Sequence, residues 1–226
     1  MGVFLWGFES PLQHSSSQQT IIMKQKGRVA VLLSGRGSNF EALHQASLRP
    51  GSNYKIVIVI SNKKSAPGLD KARAAGIEAL HVSPRTFSSK EDYEGRVVEL
   101  LEERDIQLVC LAGYMRIVGN RLLEAFPNHI MNIHPALLPA FPGLHAQKQA
   151  VDYGVRVSGC TVHFVDSGMD TGPIILQRVV EVKTGDTEDT LGARILAQEH
   201  QVFAEAVTLF FDNKLKIVDR NVIIVQ

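Results

Sequence analysis

The sequence has almost no cysteine, two residues in 226, and neither stands in a Cys-x-x-Cys spacing. That argues against a disulfide-stapled module and gives no zinc-ribbon pattern. Cys110 and Cys160 lie in the apolar runs LVCLAGY and SGCTVHFV and read as buried free thiols in a reducing, cytoplasmic compartment. An excess of one charge sign is also missing. Lys and Arg number 24 against 23 Asp and Glu, with no long single-sign run. Neither nucleic acid nor a membrane surface is therefore implied as a partner, and an anionic ligand must be met by a local site. No run approaches the roughly 20 apolar residues that a membrane span needs. The first 22 residues contain a short apolar patch, but no basic residue precedes it and Glu9 and Pro11 interrupt it, unlike a secretory signal. Trp6 stands where N-myristoylation requires Ser or Thr. Met23, followed by Lys-Gln-Lys-Gly, is a second candidate start. The expectation is a disordered extension over residues 1–26 ahead of one domain over 27–226.

What the chain does have is alternation. Short β-rich runs (RVAVLLS, YKIVIVISN, EALHV, QLVCLAGY, IMNIH) are separated by helix-period segments starting near Ser38, Pro67, Glu91 and residue 120. That order predicts an α/β fold, a mostly parallel twisted sheet with helices on both faces. Later, SGCTVHFV and PIILQRVVEV follow each other across the glycine-rich DSGMDTGP, and a long helix is expected from about Glu188 to Phe211. Two strands with no helix between them predict an antiparallel addition near the C-terminus.

Two stretches carry chemistry. LLSGRGSNFEAL ends a strand and opens a helix, with Ser38 as expected N-cap and Glu41 completing a capping box. Glycines 35 and 37 let free N–H groups and the helix dipole converge, which suits a phosphate. The dinucleotide fingerprint fails, because Phe40 replaces its third glycine and the next strand ends in Ser-Asn-Lys-Lys rather than an acidic residue. A monophosphate at Gly37, Ser38 and Asn39 fits better, and a plain tight turn stays open on these residues alone. In MNIHPALLPAFPG, Asn132 and His134 are two residues apart and so share one face at the carboxyl end of a strand. An amide beside an imidazole suits acyl transfer, the amide stabilising an oxyanion and the imidazole moving a proton. No Ser or Cys stands in a nucleophile elbow, so direct attack by the substrate is preferred. Asp170, between Gly168 and Gly172, is the candidate partner expected to raise the His134 pKa. His145 and His163 are further candidates for the same cleft. Each residue also has an ordinary reading: Asn132 and Asp170 as turn formers, His134 as a satisfied core histidine. No histidine pair has a usual metal spacing.

SGRGSN, SNKKSAPGLDKARAAGI, LAGYMRIV, NIHPALLPAFPGLHA, HFVDSGMDTGPIILQ and GDTEDTLGARILAQEH together resemble the folate-dependent glycinamide ribonucleotide formyltransferases of purine synthesis, over residues 27–217. The resemblance implies a Rossmann-like formyltransferase fold and transfer of formyl from 10-formyltetrahydrofolate to an amine, with no metal. It implies Asn132, His134 and Asp170 as catalytic, and Gly37, Ser38, Asn39 and Glu199 as nucleotide contacts. Met115, Arg116, Ile117 and Val118, with Asp166 and Met169, would form the pterin pocket. Lys90 falls where such enzymes often carry an arginine near the folate tail, and lacks its bidentate fork. Partners are expected to be small molecules, the protein itself a monomer or homodimer. Among related readings, a formyltetrahydrofolate hydrolase would be expected to carry a domain before the catalytic one and a methionyl-tRNA formyltransferase a domain after it. A sugar-nucleotide N-formyltransferase would not need SGRGSN in this form. A non-catalytic nucleotide-binding module would leave Asn132, His134 and Asp170 unemployed. The bend at Leu138–Pro139 is the expected site of a cis peptide bond.

Overall fold

The computed structural model describes residues 1, 2 and 25–225. The expected N-terminal extension and the alternative start at Met23 thus fall mostly or wholly outside the described residues. Strands β1 (Gly27–Leu33), β2 (Tyr54–Ser61), β3 (Glu78–His81), β4 (Leu108–Leu111), β5 (Ile130–His134), β6 (Val157–Phe164) and β7 (Ile174–Glu181) form one sheet in the order β3-β2-β1-β4-β5-β6-β7. The first five are parallel; β6 and β7 are antiparallel additions, as the missing intervening helix predicts. The helices are α1 (Ser38–Ser47), α2 (Pro67–Ala74), α3 (Lys90–Glu102), α4 (Asn120–Ala125), α5 (Ala146–Tyr153) and α6 (Glu188–Phe211). A short hairpin, β8 (Leu215–Val218) and β9 (Asn221–Ile224), stands apart from the main sheet. No described helix is long and apolar enough to cross a membrane.

Strand periodicity divides the core in two. Val29, Val31, Cys110, Met131 and Ile133 face one layer with Phe40, Leu69, Ala150 and Phe203. Ala30, Leu32, Val109, Leu111 and Ile130 face the other with Tyr93, Val97, Leu101 and Leu122. Near-continuous apolar strands with both faces covered are what a parallel sheet requires. The chain order reverses between β1 and β4, so the loops after these two strands, and after β5, open one crevice at the carboxyl ends.

The expected capping box at Ser38 is not formed. Gly37 is the N-cap, in the left-handed region at φ 75°, and no side chain caps the helix. Entry through a left-handed residue makes Ser38 the first helical position, and the Glu41 carboxylate pairs with Lys71 at 2.5 Å instead. Gly37 is needed here, because a Cβ would lie 2.7 Å from the Gly68 Cα at the start of α2. The outcome leaves the first N–H groups of α1 without a side-chain partner.

Candidate active site

Asn132 and His134 leave β5 on the face opposite Met131 and Ile133. Antiparallel pairing sets His163 of β6 directly opposite Asn132, and the loop between β6 and β7 brings Asp170 over both. Asn132 donates from Nδ2 to His163 Nε2 at 3.2 Å and to Asp170 Oδ1 at 3.4 Å. His163 Nδ1 donates to the Phe164 carbonyl at 2.8 Å, so its Nε2 is free to accept. The other Asp170 oxygen accepts the Gly143 N–H at 2.8 Å and lies 3.4 Å from His134 Nδ1. Thr161, fully buried, ties down the chain after β5: its hydroxyl donates to the Ala136 carbonyl and accepts from the Leu138 N–H and Gln177. The Leu138–Pro139 peptide bond beside it is cis.

The carboxylate was expected to raise the His134 pKa; it lies below the ordinary histidine value. Burial is the largest influence, with 4 % of the residue exposed, and outweighs both the Phe141 carbonyl and Asp170. The Phe141 carbonyl accepts from His134 Nε2 at 2.8 Å, which fixes the tautomer, because a carbonyl only accepts. A neutral ring then turns the Nδ1 lone pair toward Asp170. Protonation at Nδ1 converts that unfavourable contact into an ion pair, so the site rests neutral with a prepared place for one proton. For Asp170, burial acts upward, but His163, the Gly143 N–H and His134 together hold the carboxyl below its usual range.

The second group of residues lies after β1. Asn39 Nδ2 donates to Glu199 Oε2 of α6 at 2.7 Å, joining loop and helix 160 positions apart. Both are buried, at 8 % and 6 % exposed, and Asn39 Oδ1 has no hydrogen-bond partner among the described residues. Burial raises the Glu199 pKa, with the Asn39 amide acting against it. A wide cleft of about 890 Å³ lies elsewhere, between Gly27, Gln107, Pro127, Phe211 and Leu215. It opens at the strands' starting ends, away from the chemical groups, and size alone does not make it the site.

Residues 27–207 match the formyl transferase family. The chain belongs to that family. It is 40 % identical over 180 residues to a phosphoribosylglycinamide formyltransferase of Bacillus subtilis, covering 80 % of this chain and 92 % of that one. It is 46 % identical over 186 residues to the human trifunctional purine biosynthetic protein adenosine-3, covering 82 % of this chain but 18 % of the relative. The chain thus spans under a fifth of that multifunctional relative. Its fold superposes on the crystal structure of glycinamide ribonucleotide transformylase 1 from Symbiobacterium toebii with a TM-score of 0.90 at 46 % identity, over 94 % of this chain and all of that one.

In this formyl transferase the expected site residues form three neighbouring groups. Asn132, His134 and Asp170 meet directly. Gly37, Ser38 and Asn39 form the turn into α1, and Asn39 meets Glu199. Met115, Arg116, Ile117 and Val118 follow β4, and the Met115 N–H is held at 2.8 Å by Ser34. Lys90 opens α3, with Nζ 3.9 Å from Glu94. Asp166 is a turn residue: its Oδ1 accepts from the Gly168 N–H and the Thr171 hydroxyl, which shapes the Asp170 loop. Met169 reaches toward Gly143, where an added Cβ would lie 3.3 Å from its sulfur. Of the two further histidines, His163 joins the cluster. His145 is exposed and pairs with Glu188. The Phe141 carbonyl, the Gly143 N–H, Thr161 and Ser34 carry no residue-type signal; only the fold shows them.

Glu199 supplies a stability prediction. A carboxyl whose folded pKa is raised contributes stability that is present below its unfolded pKa, near 4.5, and lost as pH rises through the folded value. Glu199→Gln keeps an acceptor for Asn39 and removes the buried charge. Its melting midpoint at pH 7 is expected above that of the unsubstituted protein, the difference shrinking toward pH 4. Calorimetry at the two pH values checks this.

Proposed function

We propose that the protein is a phosphoribosylglycinamide formyltransferase, moving a formyl group from 10-formyltetrahydrofolate to the amine of glycinamide ribonucleotide in purine synthesis, with residues 27–226 acting as one catalytic domain. The observation that supports the reading is the convergence of Asn132, His134 and Asp170 at the carboxyl end of β5, with the uncapped start of α1 following β1 at the same end of the sheet. Gly37, Ser38 and Asn39 receive the substrate phosphate, and Glu199 contacts the nucleotide. Met115 to Val118, with Asp166, Met169 and Lys90, border the folate. Met115, Ile117 and Met169 are each more than half exposed, which leaves apolar surface for a flat ring.

In this mechanism the amine attacks the formyl carbon and forms the new C–N bond, and charge gathers on the formyl oxygen. Asn132 gives its long 3.4 Å bond to Asp170 over to that oxyanion. His134, neutral at rest, takes the proton shed by the amine at Nδ1, where its free lone pair lies, and Asp170, 3.4 Å away, stabilises the resulting imidazolium. The tetrahedral adduct then collapses, the bond to N10 of the folate breaks, and the proton passes from His134 to N10. The Phe141 carbonyl yields its place when substrate enters, and the Nε2–H it releases donates to the formyl oxygen; such rearrangement on binding is ordinary for catalytic hydrogen bonds.

The test compares acceptors. Tetrahydrofolate should form with glycinamide ribonucleotide, and about 10²-fold or more slowly in kcat/KM with the dephosphorylated glycinamide riboside, since the phosphate contacts are charge-assisted. Equal rates would discard the phosphate assignment, and tetrahydrofolate formed at full rate without any amine would make the protein a hydrolase.

A further inference from the structure

The segment from Ala112 to Gly119 has no regular structure, yet it is fastened along its length, beginning with backbone bonds from the Ala112 N–H to Leu32 and from the Ser34 N–H to the Gly113 carbonyl. Ser34 Oγ accepts the Met115 N–H and donates to Asn62 at 2.6 Å. The Tyr93 and Tyr114 hydroxyls meet at 2.7 Å, and the Arg116 guanidinium lies 5.1 Å from the Tyr93 ring centre. At the far end, Glu94 of α3 accepts the Gly119 N–H at 2.7 Å. Glu94 is 5 % exposed, and its only cationic neighbour among the described residues is Lys90, 3.9 Å away with its side chain 43 % exposed. Gly119 is shaped for this contact, since a Cβ there would lie 2.6 and 2.9 Å from the two carboxylate oxygens.

A buried carboxylate with one N–H donor and one distant ammonium is a poor source of stability. Desolvation of the charge is incompletely repaid, and an apolar side chain often serves such a position as well or better. What the side chain does supply is direction: an acceptor oxygen that holds one backbone N–H at one place. We infer that Glu94 is a positioning residue for the formyl-donor site, fixing the Met115–Val118 backbone against α3 through Gly119. The inference rests on the proposed function, in which this segment borders the pterin ring.

Two isosteric changes separate the bond from the charge. Glu94→Gln keeps an acceptor at the reach of the Gly119 N–H and loses the charge; Glu94→Asp keeps the charge and falls one methylene short. Glu94→Asp is expected to raise the KM for 10-formyltetrahydrofolate about tenfold, with the nucleotide KM within about twofold and kcat within about threefold. Glu94→Gln should stay within about threefold of the unsubstituted protein in all three. A donor KM untouched in Glu94→Asp, or donor and nucleotide KM rising together, would overturn the assignment, as would Glu94→Gln being the more impaired of the two. If the unsubstituted protein transfers no formyl group, the functional reading fails first; normal transfer with an indifferent Glu94→Asp would remove this inference alone.

Discussion

Replacing His134 with alanine is expected to lower kcat by about 10²–10⁴ while leaving the affinity for glycinamide ribonucleotide within about twofold. The placement of the ring is the reason. It stands at the last position of β5, buried, with Nε2 on the Phe141 carbonyl and Nδ1 beside Asp170, and the phosphate-loop residues lie on other elements. Removing it deletes the proposed proton carrier and leaves the Asn39–Glu199 pair, the proposed nucleotide contacts, in place. Burial keeps the ring below its ordinary pKa, so a base that is neutral at rest makes a definite statement about pH. The kcat/KM of the free enzyme should rise with pH through a value below 6.5 and level off above it. Binding measured by calorimetry and turnover measured separately check the two halves. An alanine variant with unchanged kcat would contradict the role.

Asp170→Asn is expected to lower kcat by about 10²–10³, although the substitution adds no bulk. Both carboxylate oxygens are employed as acceptors or as counter-charge: Oδ1 for the Asn132 amide with His163 3.7 Å away, Oδ2 for the Gly143 N–H and beside His134 Nδ1. An amide must turn its NH₂ to one of these sides and sets a donor against a donor. It also removes the negative charge that favours protonation of His134, so the His134 pKa falls further and the rising limb of the pH profile moves to lower pH. A limb displaced to higher pH, or full turnover in this variant, would show that Asp170 does not act through His134.

The parts of this site that could be read in the sequence are those in which residue type and spacing both speak. Asn132 and His134 are legible because strand geometry fixes i and i+2 on one side and Pro135 marks the strand end. The tight turn into α1 is legible from Gly35 and Gly37, though its cap was not: the left-handed conformation of Gly37 is set by the approach of Gly68 from α2, a contact between distant segments. The direction of the His134 pKa shift was missed for a related reason. Spacing proposes a carboxylate neighbour, while the depth of burial depends on the packing of β5 between β4 and β6. His163 enters through antiparallel register, which one sequence does not state. Helix α5 has only Ala146 and Ala150 buried and so shows almost no apolar period. The β8–β9 hairpin has β-rich runs on either side of Asp219 and Arg220, but these two residues are not a favoured two-residue turn pair. The alternation of the parallel part needs no such help, since each strand is buried on both faces and each helix covers one layer.

The central claim is that formyl passes directly from folate to amine, without a stop on the protein. The most direct measurement is a quenched single turnover with 10-formyltetrahydrofolate and excess protein, first without amine and then with glycinamide ribonucleotide added. The account predicts no tetrahydrofolate and no formylated protein in the first phase, then equal amounts of tetrahydrofolate and formylated nucleotide in the second. Tetrahydrofolate released before the amine arrives, or protein carrying one extra formyl group by mass, would contradict it.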